Sequence, residues 1–166
     1  KLLECILKSR AVDDDILEKM YSHAADNSIF LPVFGKLQYT LNFVIGKILL
    51  TIEFIPSLIE IVENASNLIL PEKIFDFVFS TTKERTVFNS PFVGPFTKLI
   101  GLVINSFPNQ TLLNEICNIY SMESSIEIKV LIITNVFVKF KNQKLLWNSI
   151  ETLFIKESEW QIFLPL

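Results

Sequence analysis

Apolar residues recur at intervals of three and four along most of the chain, the spacing that gathers them on one face of an α-helix. Leu2, Leu3, Ile6 and Leu7 set the pattern in the segment ending at Arg10. Asp13, Asp14 and Asp15 then supply carboxylates suited to the free N–H groups and positive dipole end of a helix start. Ile16, Leu17, Met20, Tyr21 and Ala24 carry that helix to about Ala25, where Asp26-Asn27-Ser28 makes a turn. Ile29 to Phe34 is apolar but contains Pro32, and reads as a connection or a short helix.

From Lys36 to Glu53 the pattern predicts one long helix, with Leu37, Leu41, Val44, Ile48 and Ile52 in register and Ile55 continuing the row. Phe43, Ile45, Leu49 and Leu50 fill much of its remaining circumference. A helix that is apolar nearly all round belongs in the middle of its domain. Pro56 opens the next helix, which runs to Glu63, and Asn64 to Asn67 forms a loop. Pro71 opens another, running to about Ser80. Ser80 to Pro91 is the most polar stretch and predicts an exposed loop.

Pro91 to Ser106 predicts a further helix, with Pro95 as a second place for it to begin. Asn109 can cap a helix from Gln110 to about Ser121. Ser124 and Glu127 have the Ser-x-x-Glu spacing of a capping box, and the helix they start runs to about Lys141. The last main helix is Lys144 to Lys156, followed by a short piece from Trp160 to Leu164. Only Ile126 to Phe140 competes, because its Ile, Val and Phe favour strands and a hairpin could turn at Thr134-Asn135. The Asn-Gly or Asp-Gly of such a turn is missing and the strands would stand alone, so helix is expected there too.

The expected fold is therefore all-α: one multi-helix domain over 1–166, built of antiparallel helix pairs. Two arrangements stay open, a compact bundle and an irregular α-solenoid. Pro71 to Ser106 and Gln110 to Lys141 each read as a short helix followed by a longer one. In architecture this resembles HEAT or armadillo stacking, but no residue signature recurs between the two. Only 4 Gly among 166 residues leaves few positions for tight turns with positive φ, which agrees with helices on short connections. The chain opens at Lys1 inside an apolar periodic stretch, and a domain of a longer protein is the expectation.

Chemistry enters mainly by exclusion. The longest apolar run, Leu41 to Val62, carries Lys47, Glu53 and Glu60 and is interrupted by Pro56. Each central charge costs about 3 kcal/mol on membrane insertion, so no spanning helix and no membrane partner is expected. Cys5 and Cys117 sit among apolar residues, consistent with buried reduced thiols and an intracellular location. His23 is the only histidine. No zinc-ligand spacing, calcium loop or glycine-rich phosphate cradle is present, so no catalytic residue, metal ligand or cofactor is assigned. Gly46 and Gly101 fall inside helical patterns, where close helix–helix approach would explain them.

The expected function is a non-catalytic protein-interaction or scaffold module of a larger protein or complex. Two aromatic stretches supply its candidate partner-binding residues. In the first, Phe88 and Phe92 are joined to Phe96 through Pro91, Gly94 and Pro95; the second holds Trp160. Three alternatives stand beside it. A bundle could take a partner helix into a groove built on the helix from Leu37. A fragment of an enzyme could have its active site elsewhere. A nucleic acid could bind a basic patch of Lys139, Lys141 and Lys144, which surround Phe140 and precede Trp147. Against that patch, Phe140 and Trp147 have the spacing of core residues, and the net charge of −3 offers no general attraction to phosphates.

Overall fold

The computed structural model describes residues 45–64 and 69–154, together with the single positions Lys19 and Asn42. Cys5, the Asp13 to Asp15 run, His23 and Trp160 lie outside the described residues. Among those described, the structure is predominantly helical and contains no strand. The chain divides into two compact units, Lys1–Phe77 and Val78–Leu166.

In the first unit the helix predicted from Lys36 to Glu53 does not run through. Residues 45–47 are helical, the chain bends at Ile48, and Thr51 is extended (φ −127°, ψ 172°) before a 3-10 turn, Ile52–Phe54. Helix α1, Ile55–Asn64, follows directly. Pro56 accounts for the fresh start at α1, though not for the bend upstream at Ile48. It has no N–H for the carbonyl of residue 52, and its ring would strike that carbonyl, so it fits only the first turn of a new helix. The apolar row survives the break, since Ile45, Ile48, Leu50, Ile55, Leu58 and Ile61 are all buried. Leu49 is 81% exposed, so the all-round burial expected here fails at that position. Gly46 is not a close-approach glycine either, because a Cβ there would meet no atom within 4 Å. Its carbonyl accepts a hydrogen bond from Lys73 Nζ at 2.9 Å, a cation placed where the dipole of the preceding helix favours one.

Helix α2, Glu72–Glu84, starts in the first unit and ends in the second. It overruns the predicted exposed loop of Ser80 to Pro91. Thr81 and Thr82 are buried, with Thr82 Oγ1 donating to Val78 O at 2.6 Å. A threonine whose hydroxyl bonds the carbonyl four residues back can enter a core as an apolar side chain does. Arg85 then takes a left-handed conformation (φ 60°) that ends the helix, and the 3-10 turn Thr86–Asn89 buries Val87 and Phe88. Arg85 is held by Glu115 Oε1 at 3.2 Å and by Met122 Sδ at 3.4 Å.

Helix α3, Val93–Ser106, carries Pro95 in its first turn, and helix α4, Gln110–Met122, is capped as the sequence predicts, with Leu112 N–H donating to Asn109 Oδ1 at 3.0 Å. Helix α5, Ile126–Ile132, is capped by Ser125 rather than Ser124. Ile128 N–H donates to Ser125 Oγ, while Ser125 N–H donates to Glu123 Oε1 at 2.8 Å. The reciprocal carboxylate thus comes from upstream of the cap, and Glu127 sits free of that role in the first turn.

No hairpin forms over 126–140. Helix α5 continues into a π-helical segment, Ile133–Phe137, closed by Val138 N–H donating to Ile133 O at 2.9 Å. Helix α6, Gln143–Phe154, ends the described chain. Helix α3 lies against the π segment closely enough that a Cβ on Gly101 would stand 1.9 Å from Asn135 O, so this glycine does mark a close approach. Phe96, Ile100 and Ile104 from α3, Leu113 and Tyr120 from α4, and Val136, Phe137 and Phe140 beyond α5 form the core of the second unit.

Candidate interaction surface

Two exposed surfaces of the second unit carry side chains that water does not favour leaving bare or that carry uncompensated charge. The first is a face of α5. Ile126 is 71% exposed and Val130 46%, four residues apart and therefore stacked on one face, with Met122 exposed at the end of α4. Thr134 and Val138 continue the exposed row at every fourth residue, and Ile132, Val136 and Phe140 make a buried row with the same spacing. In a plain α-helix of 3.6 residues per turn an every-fourth row slides round the axis by about 40° per step. The π segment takes more residues per turn and keeps both rows straight. Sustained spacing of four, instead of alternating three and four, is the signal in the sequence that could have located both the segment and its exposed row.

The second surface is the connection from the π segment into α6. Lys139, Lys141 and Lys144 are exposed, while Phe140 between them is buried at 1%. Asn105 on α3 fixes this connection. Its Nδ2 donates to Lys139 O at 3.1 Å and its Oδ1 accepts from Lys141 N–H at 2.9 Å, so one carboxamide grips the backbone on both sides of Phe140. Asn135 Nδ2 donates to the fully buried Thr97 Oγ1 at 3.1 Å, and Lys139 Nζ reaches Asn135 Oδ1 at 3.3 Å. Asn142 caps α6, accepting from Leu145 N–H at 3.2 Å. Helix α6 is joined to α4 by Ser149, whose hydroxyl donates to Asn114 Oδ1 at 3.0 Å and also bonds Gln110 Nε2.

Trp147 lies one turn beyond Lys144 and is 58% exposed, contrary to the core position predicted for it. Among the described side chains of α6, Leu146 and Ser149 are the buried ones, and residue 147 lies about 100° round the helix from its neighbour Leu146. Of the aromatic residues singled out as partner anchors, Phe88 is 4% exposed and packs edge-on against Phe96 with ring centroids 5.9 Å apart, so it belongs to the core. Phe92 is half-buried at the entry to α3, its N–H donating to Ser90 Oγ. Trp160 lies outside the described residues. The structure thus leaves the three lysines and Trp147 exposed along one stretch of chain, and of the predicted aromatic anchors it buries Phe88 and half-buries Phe92.

Cys117 is buried and unlinked, and burial pushes its thiol up to about 12. No group of His, Cys, Asp and Glu among the described residues could hold a metal ion, and no described helix is long and apolar enough to cross a membrane. Comparison with protein-family models, with curated proteins and with solved structures found no match.

Proposed function

We propose that the chain is a non-catalytic helical interaction module that binds a protein partner through the face of α5 bearing Ile126 and Val130. The observation that carries this reading is the exposure of aliphatic side chains in register, Ile126 at 71% and Val130 at 46%, with Met122 exposed just before them. Scattered single apolar residues are ordinary on protein surfaces, whereas two on adjacent turns of one helix offer a ridge that a partner's groove can take. Covering apolar area gains about 25 cal/mol per Å², so a few such side chains can anchor an interface.

The test is a pull-down with the protein carrying Ile126→Asp or Val130→Gln. Asp at the first position of α5 suits the helix dipole, so both variants should melt close to wild type. Loss of the captured partner in both supports the reading. Undiminished capture of the same partners by both would remove it.

A further inference from the structure

We propose that residues 139–147 form a second contact, for single-stranded nucleic acid, in which Lys139, Lys141 and Lys144 neutralise phosphates and Trp147 stacks on a base. This site is separate from the α5 face and does not depend on it.

Charge is the first observation. The whole chain is acidic, at −3, yet no Asp or Glu occurs between Glu127 and Glu151, and that stretch contains Lys129, Lys139, Lys141 and Lys144. Lys129 is engaged elsewhere, its Nζ lying 5.0 Å from the centre of the Tyr120 ring. The remaining three are exposed and form no ion pair among the described residues, and the one polar contact of Lys139 is to a neutral carboxamide. Their positive charge is left facing solvent.

Rigidity is the second. Lysines on a loose loop lose entropy when they gather round a ligand. Here the backbone of Lys139 and Lys141 is fixed by Asn105, and Lys144 sits in the first turn of a helix capped by Asn142 and joined to α4 through Ser149. The cations are displayed on a frame built before any ligand arrives.

The third is the identity of the side chains. Protein interfaces are depleted in Lys and favour Arg, whereas an ammonium serves as a point charge for phosphate. Lys144 and Trp147, three residues apart on one helix, are neighbours on its surface, which puts a phosphate ligand beside a flat aromatic face. That pairing fits a strand whose bases are free to stack, and a duplex, with its bases already stacked, offers Trp147 nothing. The overall negative charge confines the attraction to this segment, so the contact is local and short.

A fluorescein-labelled oligothymidylate of about twelve nucleotides is the probe, read by anisotropy across a salt series. Three phosphate contacts on a single strand predict a slope of log K against log salt of about −2, and each of Lys139→Gln, Lys141→Gln and Lys144→Gln should lessen it by about 0.7. In a Trp160→Phe background, where Trp147 is the only tryptophan, binding should quench its emission, and Trp147→Leu should weaken binding by about tenfold or more. Lys139, Lys141, Lys144 and Trp147 are exposed, and unchanged melting of all the variants, the Trp160→Phe background included, confirms that binding alone is read. Polyglutamate of equal length should not displace the oligonucleotide. A slope indifferent to the lysine variants, or unquenched Trp147 emission at saturation, overturns the proposal. So does binding of a 12-base-pair duplex or of polyglutamate as tight as that of the single strand, which would make the surface a general contact for one charge or the other.

Discussion

Replacing Gly101 by alanine adds one methyl group where α3 lies close against the π segment. On helix propensity alone the change should stabilise the protein by about 1 kcal/mol. The position forbids that gain. The new carbon would stand 1.9 Å from Asn135 O and 2.9 Å from its carbonyl carbon, both of them backbone atoms with no rotamer to escape into. Non-bonded carbon contacts settle near 3.5–4.0 Å, roughly, so α3 and the π segment must part by more than about 1 Å. Three side-chain hydrogen bonds cross that seam: Asn135 to Thr97, and Asn105 to both Lys139 O and Lys141 N–H. Their loss costs about 1 kcal/mol each, overpacking adds about 1–3 kcal/mol, and the propensity gain offsets part of this. The net expectation is about 3–5 kcal/mol of destabilisation, or a fall of about 10 °C in melting temperature for a chain of this size. Thermal and urea unfolding followed by circular dichroism measure it. Gly46→Ala and Gly94→Ala, where an added Cβ meets nothing within 4 Å, are the controls and should stay within about 1 kcal/mol of wild type. Gly101→Ala at or above wild-type stability would refute the close approach on which the reasoning rests.

Ser125→Ala should cost about 1 kcal/mol in urea denaturation, because it removes the acceptor for Ile128 N–H, while Ser124→Ala should be nearly neutral; equal effects would put the cap elsewhere. Cys117 should react with a thiol reagent only as fast as the second unit opens, and labelling at the rate of a free thiol would contradict its burial. Its raised pKa also gives a sign. The unfolded thiol ionises near its ordinary value of 9.0 and the folded one only near about 12, so above pH 9 the unfolded chain holds fewer protons and stability must fall as pH rises through that window. A Cys117→Ala variant should lose that part of the alkaline decline.

The helical class was legible because the apolar spacing is regular and glycine is scarce, and Asn109 marked the start of α4 because an unsatisfied helix N-terminus has few remedies. Other features were hidden for physical reasons. The apolar spacing carries on from Ile45 to Ile55 past Lys47, Thr51 and Glu53, so the pattern does not show the bend at Ile48, and only Pro56 announces that a new helix begins at Ile55. Thr81 and Thr82 look like surface residues in a sequence, yet Thr82 satisfies its hydroxyl on its own helix and both go inside. Two serines, Ser124 and Ser125, competed for one cap, and Glu123 decided it from a position the capping-box pattern does not inspect. For the candidate surfaces, the three lysines were visible as a cluster and Phe140 as core, but the exposure of Trp147 depends on the helix rotation set by Leu146 and Ser149.

The π segment also acts as a phase shifter. It holds about one residue more per turn than an α-helix, so deleting one residue within 133–137 would give ordinary α geometry with everything after it nearly in phase, whereas keeping all of them in α geometry would turn everything after them by about 100° about the axis. Phe140 would leave the core, Asn105 would lose the pair of peptides it grips, and the lysines would point elsewhere relative to Ile126 and Val130. The angular offset between the aliphatic ridge and the cationic connection is therefore set by the winding of this segment. A change that drove it into α geometry at constant length would alter how the two surfaces face one another without changing any residue on either.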